Sequence, residues 1–291
     1  MDKIKPFLEK KNNLFVRVVI MTHQSHSFGP GARKAPKIVK WTMLATLILS
    51  FFTIVSHALF TQVLHLPSPQ FLLSLSLWGV EKFFLWQFIS YLFVQPLSAE
   101  GFSFPLILHI FFDLYLLWAI GSAIVEAKGK KHFVGLYFGG ALFIGLIAAL
   151  LLFLFHSPLP FSGATMSIYI LMIGWVFLYP EAMIMVFMMI PMRAKWLVFG
   201  LIGVNLLLDF SNGAFLSFAL TAGALTFGYL YAILCWDILS PFHRLHPIEK
   251  RLIYTKRALL QSFRRKRSPS DSPKVYDIRT GKAIVQDGTI D

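Results

Sequence analysis

Three polar side chains in a very apolar chain could do chemistry together: the Ser162 hydroxyl, the His109 imidazole and the Asp113 carboxyl. His109 and Asp113 are four residues apart, so on a helix they lie on one face. Ser162 stands between a turn at Pro160 and a run of small residues. A serine at a helix start can cap unpaired backbone N–H groups, or it can be a nucleophile in the favourable field of the helix N-terminus. The local sequence leaves both interpretations open.

Two further acidic residues, Glu126 and Asp209, lie at the ends of apolar runs. Ionisable groups at membrane depth are costly and are functional candidates for that reason. His109 and Asp113 alone do not make a metal site, because a third ligand is missing. Cys235 is the single cysteine, which excludes an internal disulfide and a Cys-based metal cage. We therefore expect neither a metal nor a cofactor.

The composition predicts that most of this chain lies in lipid. Of its 291 residues, 56% are hydrophobic and 14% are charged, and the mean hydropathy is +0.66. A soluble domain carries about 25% charged residues. We therefore expect an all-α integral membrane protein.

The apolar runs predict six spans, since each crossing needs about 20 apolar residues. The predicted spans are 41–63, 104–126, 132–155, 162–179, 194–208 and 214–236. Residues 64–103 are apolar but broken by prolines and charges, which predicts amphipathic elements on the outer leaflet surface. Residues 186–190 are expected in a short connection on the cytoplasmic side.

Basic residues alternate between rich and poor loops along the chain. Nine Lys and Arg lie in 1–40, one in 64–104, three in 127–131, none in 157–161, two in 193–195, none in 209–214 and twelve in 236–291. The positive-inside rule then places both tails in the cytoplasm. The expected parts are a basic tail at 1–40, a membrane domain at 41–236 and a basic Ser/Pro-containing tail at 237–291. Topology explains the net charge of +13 better than nucleic-acid binding does, so we expect no nucleic-acid partner.

The order of several motifs resembles the rhomboid family of intramembrane serine proteases, over roughly 86–231. The stretch "LHIFFDLYLLWAIGSAIVEAKG" resembles the family's H-x-x-x-N span, and "FSGATMS" resembles the end of its G-x-S-G motif. The stretches "WQFISYLF", "IPMRAKWLV" and "TAGALTFGYLY" resemble the segments before the second span, before the fifth span and in the sixth span. The resemblance implies a six-helix bundle with a serine nucleophile. It also implies a sixth-span histidine base and an oxyanion site that includes the second-span His and Asn.

Carried over residue by residue, the resemblance implies that Ser162 holds the nucleophile position and His109 the oxyanion-side donor position. The base position falls on Leu220 or Thr221, neither of which takes a proton near neutral pH. A serine hydroxyl without a base is a poor nucleophile. Asp113 replaces the family Asn, and an ionised carboxylate accepts hydrogen bonds but does not donate them. The first glycine of G-x-S-G is replaced by a proline, which has no N–H.

We therefore expect a rhomboid-like, pseudoprotease-type protein of the bacterial inner membrane that binds transmembrane segments of client proteins without cleaving them. The client role is what resemblance to inactive family members implies; the expected partners are those segments and the lipid bilayer. The alternative is an active intramembrane serine endopeptidase that uses Ser162 with a displaced base, either His109 oriented by Asp113 or Asp209 from the fifth span. A small-solute transporter is the remaining class, which the lack of an inverted repeat disfavours.

Overall fold

A computed structural model describes residues 35–63, 70–96, 103–156, 160–186, 190–267, 275–276 and 283–284. Most of the predicted basic tail at 1–40 lies outside these ranges, as do both ends of the predicted amphipathic segment and most residues after 267. The chain forms two compact units, Met1–Pro241 and Phe242–Asp291.

Helices make up most of the first unit. Among the described residues, its α-helices are α1 (Lys37–His57), α2 (Gln70–Leu73), α3 (Leu77–Glu81), α4 (Gln87–Ser90), α5 (Phe104–Lys128), α6 (Lys130–Phe155), α7 (Thr165–Leu178), α8 (Ala194–Ser211) and α9 (Phe215–Trp236). A π-helix (Ala58–Val63) continues α1, and a 3-10 turn (Tyr91–Phe93) follows α4. An antiparallel hairpin, β1 (Met183–Val186) and β2 (Ile190–Arg193), joins α7 to α8.

Five of these helices, α1, α5, α6, α8 and α9, are long and apolar enough to cross a membrane. The chain is therefore an all-α, multi-pass integral membrane protein. Apolar length alone located four of the spans well, since the ends predicted for α5, α6, α8 and α9 lie within three residues of the helix ends. The first predicted span, 41–63, begins four residues late, because the basic residues Lys37 and Lys40 belong to the helix although they are polar.

The fourth predicted span, 162–179, differs most from the structure. The helix α7 covers only Thr165–Leu178, and at about 1.5 Å per residue it is about 21 Å long. Two features stop it from starting earlier: Phe161 pairs with Leu75 as an isolated bridge, and Gly163 has a φ of 115°, outside the helical region. α7 packs against α5, α6, α8 and α9, and nearly all its side chains are buried.

α1 packs through small hydroxyl-bearing residues. Its buried side includes Thr42, Thr46, Ser50, Thr53 and Ser56, which recur every three or four residues and so form one stripe. Small residues let membrane helices approach closely, where large apolar side chains would gain little over contact with lipid. Large apolar side chains of α1 are correspondingly exposed on its other faces, among them Trp41, Phe51 and Phe52.

Residues 70–96 fold into short helices held together by side-chain amides. The Gln87 amide donates to the carbonyl oxygen of Phe71 over 3.0 Å, and its oxygen accepts from the Ser76 N–H over 3.3 Å. A Cβ at position 79 would overlap this amide, so Gly79 gives it room. The apolar side chains of Phe83 and other residues of this segment are exposed, Phe83 by 82%. This pattern agrees with the predicted amphipathic character.

The hairpin that leads into α8 carries an ion-pair cluster. The Glu181 carboxylate lies 2.6 Å from Lys195 Nζ and 3.2 Å from an Arg193 guanidinium nitrogen. The hydrogen bond from Lys195, supported by the charge of Arg193, lowers the pKa of Glu181 below its usual value. The predicted connection at 186–190 lies in this hairpin, and residues 187–189 are outside the described residues.

The second unit contains one long helix in the part that the structure describes, α10 (His246–Arg267), preceded by a 3-10 turn (His243–Leu245). A short antiparallel pair follows, β3 (Val275–Tyr276) and β4 (Ala283–Ile284). The tail predicted at 237–291 is therefore largely helical up to residue 267.

Candidate functional site

Backbone contacts fix the loop that carries Ser162. On one side, Phe161 exchanges two hydrogen bonds with Leu75, of 2.9 and 2.7 Å. On the other side, the Gly163 N–H donates to the Tyr91 carbonyl oxygen over 3.0 Å. Tyr91 is itself anchored, since its hydroxyl donates to the Ala141 carbonyl oxygen on α6 over 2.8 Å. Burial raises the pKa of Tyr91, so the phenol stays neutral and keeps this donor role. Ser162 therefore sits between two backbone tethers.

Ser162 is not the cap of α7. The N-cap residue is Ala164, whose side chain can offer no hydrogen bond, and the helix begins at Thr165. The Ser162 side chain is partly exposed, and within the described part of the chain its hydroxyl makes no hydrogen bond. Ser162 is thus held in place by its neighbours, while its own oxygen has no hydrogen-bond partner among the described residues.

His109 and Asp113 form the pair expected from their spacing, with 3.6 Å between Nδ1 and Oδ2. Asp113 is buried, whereas the His109 side chain is 41% exposed. The other ring nitrogen of His109, Nε2, lies 3.4 Å from the Thr165 hydroxyl oxygen. His109 therefore connects α5 to the first residue of α7, three positions beyond Ser162.

Gln95 completes this cluster, and sequence reasoning missed it. Its amide oxygen lies 3.1 Å from His109 Nδ1, and its amide nitrogen donates to Asp113 Oδ2 over 3.3 Å. Its backbone carbonyl oxygen accepts from the Gln70 amide over 3.2 Å. The available signal was a single amide in an apolar stretch directly before Pro96.

The hydrogen bonds of the cluster define the tautomer of His109. A carbonyl oxygen only accepts, so the contact with Gln95 places the proton on Nδ1. In a neutral ring Nε2 is then the acceptor, and the hydroxyl of Thr165 donates to it. The proton-accepting atom of this site therefore faces Thr165.

The base position of the resemblance is filled by apolar packing. Leu220 and Thr221 on α9 are both fully buried, and the Thr221 hydroxyl lies 3.6 Å from the sulfur of Met166, near the start of α7. This contact is weak, because the thioether sulfur of Met166 is a poor hydrogen-bond acceptor for the Thr221 hydroxyl. Neither side chain can take a proton from Ser162.

Asp209 belongs to a second polar cluster between α8 and α9. Its carboxylate accepts from the Ser217 hydroxyl over 3.0 Å and from the Asn205 amide over 3.5 Å. No hydrogen bond joins Asp209 to Ser162 or His109 among the described residues. Glu126 is exposed near the end of α5. These two acidic residues are thus separate from the Gln95–His109–Asp113 cluster.

The Gln95–His109–Asp113 cluster offers hydrogen-bond donors and acceptors at the start of a buried helix. Among the residues that the structure describes, no three His, Cys, Asp or Glu side chains are grouped closely enough to hold a metal ion. The amide, imidazole and carboxyl groups of the cluster can themselves donate and accept hydrogen bonds and transfer protons.

No known family model matches this chain, and no curated protein matches it at a significant level. The resemblance to the rhomboid family therefore rests on the motif residues and on their positions in the chain.

Proposed function

We propose that this protein is a rhomboid-like membrane protein that binds transmembrane segments of client proteins and does not cleave them. The observation that carries the proposal is the packing of Leu220 and Thr221 against α7, where the resemblance implies a histidine base. Without an adjacent base a serine hydroxyl is weakly nucleophilic. In another serine protease, the loss of either partner costs on the order of 10⁶ in turnover.

The surroundings of Asp113 also support a loss of proteolysis. In the resemblance this position holds an amide that donates to the developing oxyanion. Here the carboxylate accepts from Gln95 and pairs with His109, so it satisfies hydrogen bonds inside the protein. An ionised carboxylate facing an oxyanion would repel it.

The packing of α8 supports a role in binding helices. Only 17% of the apolar stretch of α8 is buried inside the protein, against 39% for α5 and for α6. Its outward faces carry large exposed apolar side chains, including Leu201, Val204 and Leu207. Cβ atoms at Gly200 and Gly203 would meet nothing within 4 Å, which leaves room for another backbone to approach. A client helix would lie against this side of the protein.

The proposed topology has six crossings, with α7 as the fourth and both tails in the cytoplasm. At about 21 Å, α7 is shorter than the hydrocarbon core of about 30 Å, so its first residues would lie below the outer surface. The loop at 160–164 and residues 70–96 would then fill the outer part of that crossing. The single cysteine and the short connections suit the bacterial inner membrane.

The alternative, an active intramembrane serine protease, has one observation in its favour. The acceptor nitrogen of His109 faces a hydroxyl at the start of α7, as a catalytic base would. That hydroxyl belongs to Thr165, however. To act as the base for Ser162, the imidazole of His109 would have to turn away from Thr165 and toward Ser162.

A serine-directed fluorophosphonate probe applied to the purified protein tests the proposal. We expect no labelling of the wild type above the level of Ser162→Ala. Labelling that disappears in both Ser162→Ala and His109→Ala would overturn the proposal in favour of the protease. Labelling lost only in Thr165→Val would assign the nucleophile to Thr165. Ser211→Ala, at an exposed serine outside the cluster, is the matched control.

Client binding is tested separately by cross-linking in membranes with a photoreactive residue at Val204 of α8. We expect adducts with other membrane proteins that persist in Ser162→Ala, because the hydroxyl is not required for packing. The absence of any adduct at Val204, with the fold intact, would contradict the binding role.

A further inference from the structure

Three apolar residues of α10 share one narrow face. Ile248, Leu252 and Leu259 follow one another at intervals of four and seven residues, which brings them to the same side of a helix with 3.6 residues per turn. The structure leaves Ile248, Leu252 and Leu259 exposed, Ile248 by 59%. A helix of 22 residues therefore presents an apolar stripe that no described part of the chain covers at those three side chains.

The rest of α10 is strongly basic. It carries eight Lys and Arg and a single acidic residue, Glu249. Lys250 and Arg251 are exposed and lie on other faces of the helix than the apolar stripe, while Glu249 and Ile253 are buried. The helix is thus amphipathic, with an exposed apolar stripe beside a strongly cationic surface, which is the pattern of helices that lie in a membrane interface.

The connection to the membrane domain limits where α10 can be. Residues 237–245 separate the last residue of α9, Trp236, from the start of α10. Even fully extended, nine residues span only about 30 Å. A linker of this length leaves a bilayer surface within the reach of α10 in the full chain.

We propose that α10 binds the surface of the bilayer, with the stripe of Ile248, Leu252 and Leu259 among the acyl chains and the Lys and Arg side chains on anionic lipid headgroups. An exposed apolar stripe is costly in water but is stabilised at the lipid interface. The positive charge selects headgroups with negative charge, and long basic side chains can extend from the apolar level to those headgroups. A nucleic acid or an acidic soluble protein would use the charge but would leave the stripe without a partner.

A fluorescent label that reports polarity tests this placement in the full-length chain. Cys235 is replaced by Ser, and a single cysteine at Leu259→Cys, in the stripe, carries the environment-sensitive fluorophore NBD. Ala258→Cys is the matched control, because it is exposed, small and about 100° away around the helix. Both proteins are placed in nanodiscs, either of phosphatidylcholine alone or of equal parts phosphatidylcholine and phosphatidylglycerol.

We expect the label at position 259 to emit at shorter wavelength than the label at 258, and to be quenched by lipids that carry a quencher in their acyl chains. The difference in emission wavelength between positions 259 and 258 should be smaller in phosphatidylcholine alone, at high salt and in Lys250→Gln/Arg251→Gln. Each of these changes weakens the attraction between α10 and anionic headgroups. Equal emission at 258 and 259 in anionic nanodiscs would overturn the proposal. So would a shift at 259 that is unchanged in uncharged lipid and at high salt, since the stripe would then be covered by protein.

Discussion

Gln95 bridges the side chains of Asp113 and His109, which could satisfy each other's hydrogen bonds only in part. An amide both donates and accepts, so one side chain supplies a donor to Asp113 and an acceptor to His109 Nδ1. A buried carboxyl is costly without such partners. The same residue is fixed at its backbone by Gln70, which ties the cluster to the segment before α5.

The first prediction concerns the hydrogen bond from Gln95 to Asp113. Gln95→Leu removes the donor to Asp113 and should lower the free energy of unfolding by about 2 kcal/mol, the usual cost of leaving a buried polar group unsatisfied. Unfolding of the purified protein in mixed micelles, followed by circular dichroism against denaturant, measures the change.

The control is the double variant Gln95→Leu/Asp113→Leu. Because it removes the acceptor together with the donor, its cost should be smaller than the sum of the two single variants. Strictly additive costs would show that Gln95 and Asp113 do not interact.

Within the cluster around His109, only some of the contacts could be predicted from the sequence. The pairing of His109 with Asp113 follows from helical spacing and could be predicted. The contact with Gln95 joins the helix to a segment that precedes it, and it depends on how residues 70–96 fold. Thr165 was not singled out either, because the expected helix began at Ser162 and thus placed Thr165 inside it.

At the scale of elements, α7 is the helix around which α5, α6, α8 and α9 pack. Nearly all its side chains are buried, and close contacts between membrane helices favour small residues at the crossing points. On α9, a Cβ at Gly228 would lie 3.1 Å from Ile173 Cβ and 3.3 Å from the Ile170 carbonyl oxygen. Both atoms belong to rigid parts of α7, so the two helices are in close contact there.

The second prediction follows from that contact. Gly228→Leu should destabilise the fold by about 1–3 kcal/mol or more, because a larger side chain must push α9 away from α7. The same substitution at Gly200 on α8, where a Cβ would meet nothing within 4 Å, is the control and should cost little. Thermal denaturation in detergent compares the two variants. Equal midpoints would contradict the close packing of α7 and α9.

Hydropathy predicted the long helices because a helix that crosses the bilayer needs a continuous run of apolar residues. Such a run is visible in the local sequence. It did not predict the short α7. The bridge between Phe161 and Leu75 joins residues far apart in the chain, and a hydropathy window averages over the loop at 160–164 as if it were helix. The amphipathic segment was predicted by its prolines and charges, but its amide hydrogen bonds are tertiary features.

At the scale of the whole molecule, the third prediction concerns sidedness. In the proposed topology of six crossings, residues 129–131 and the hairpin before α8 would face the cytoplasm, whereas the turn after α8 would face outward. In a Cys235→Ser background, an impermeant thiol reagent added to intact cells should label Asn212→Cys. It should label Lys131→Cys only after the membrane is opened. Labelling of both positions in intact cells would contradict six crossings.

The proposed topology rests on the distribution of basic residues in the sequence, because charge selects the cytoplasmic side during insertion. The helical structure of α10 was not predicted. Its periodicity is visible in the sequence, but the expectation for residues 237–291 was only a basic, Ser/Pro-containing tail.

The hydroxyl stripe of α1 has a consequence for biosynthesis. Thr42, Thr46 and Thr53 donate to carbonyl oxygens of their own helix, those of Ile38, Thr42 and Leu49. A ribosome delivers this segment to the translocon before any of its partners exist. Because these threonines already satisfy their hydrogen bonds within the helix, the nascent segment brings fewer unsatisfied donors into the membrane. Ser50, by contrast, donates to the carbonyl oxygen of Phe93, which is synthesised later.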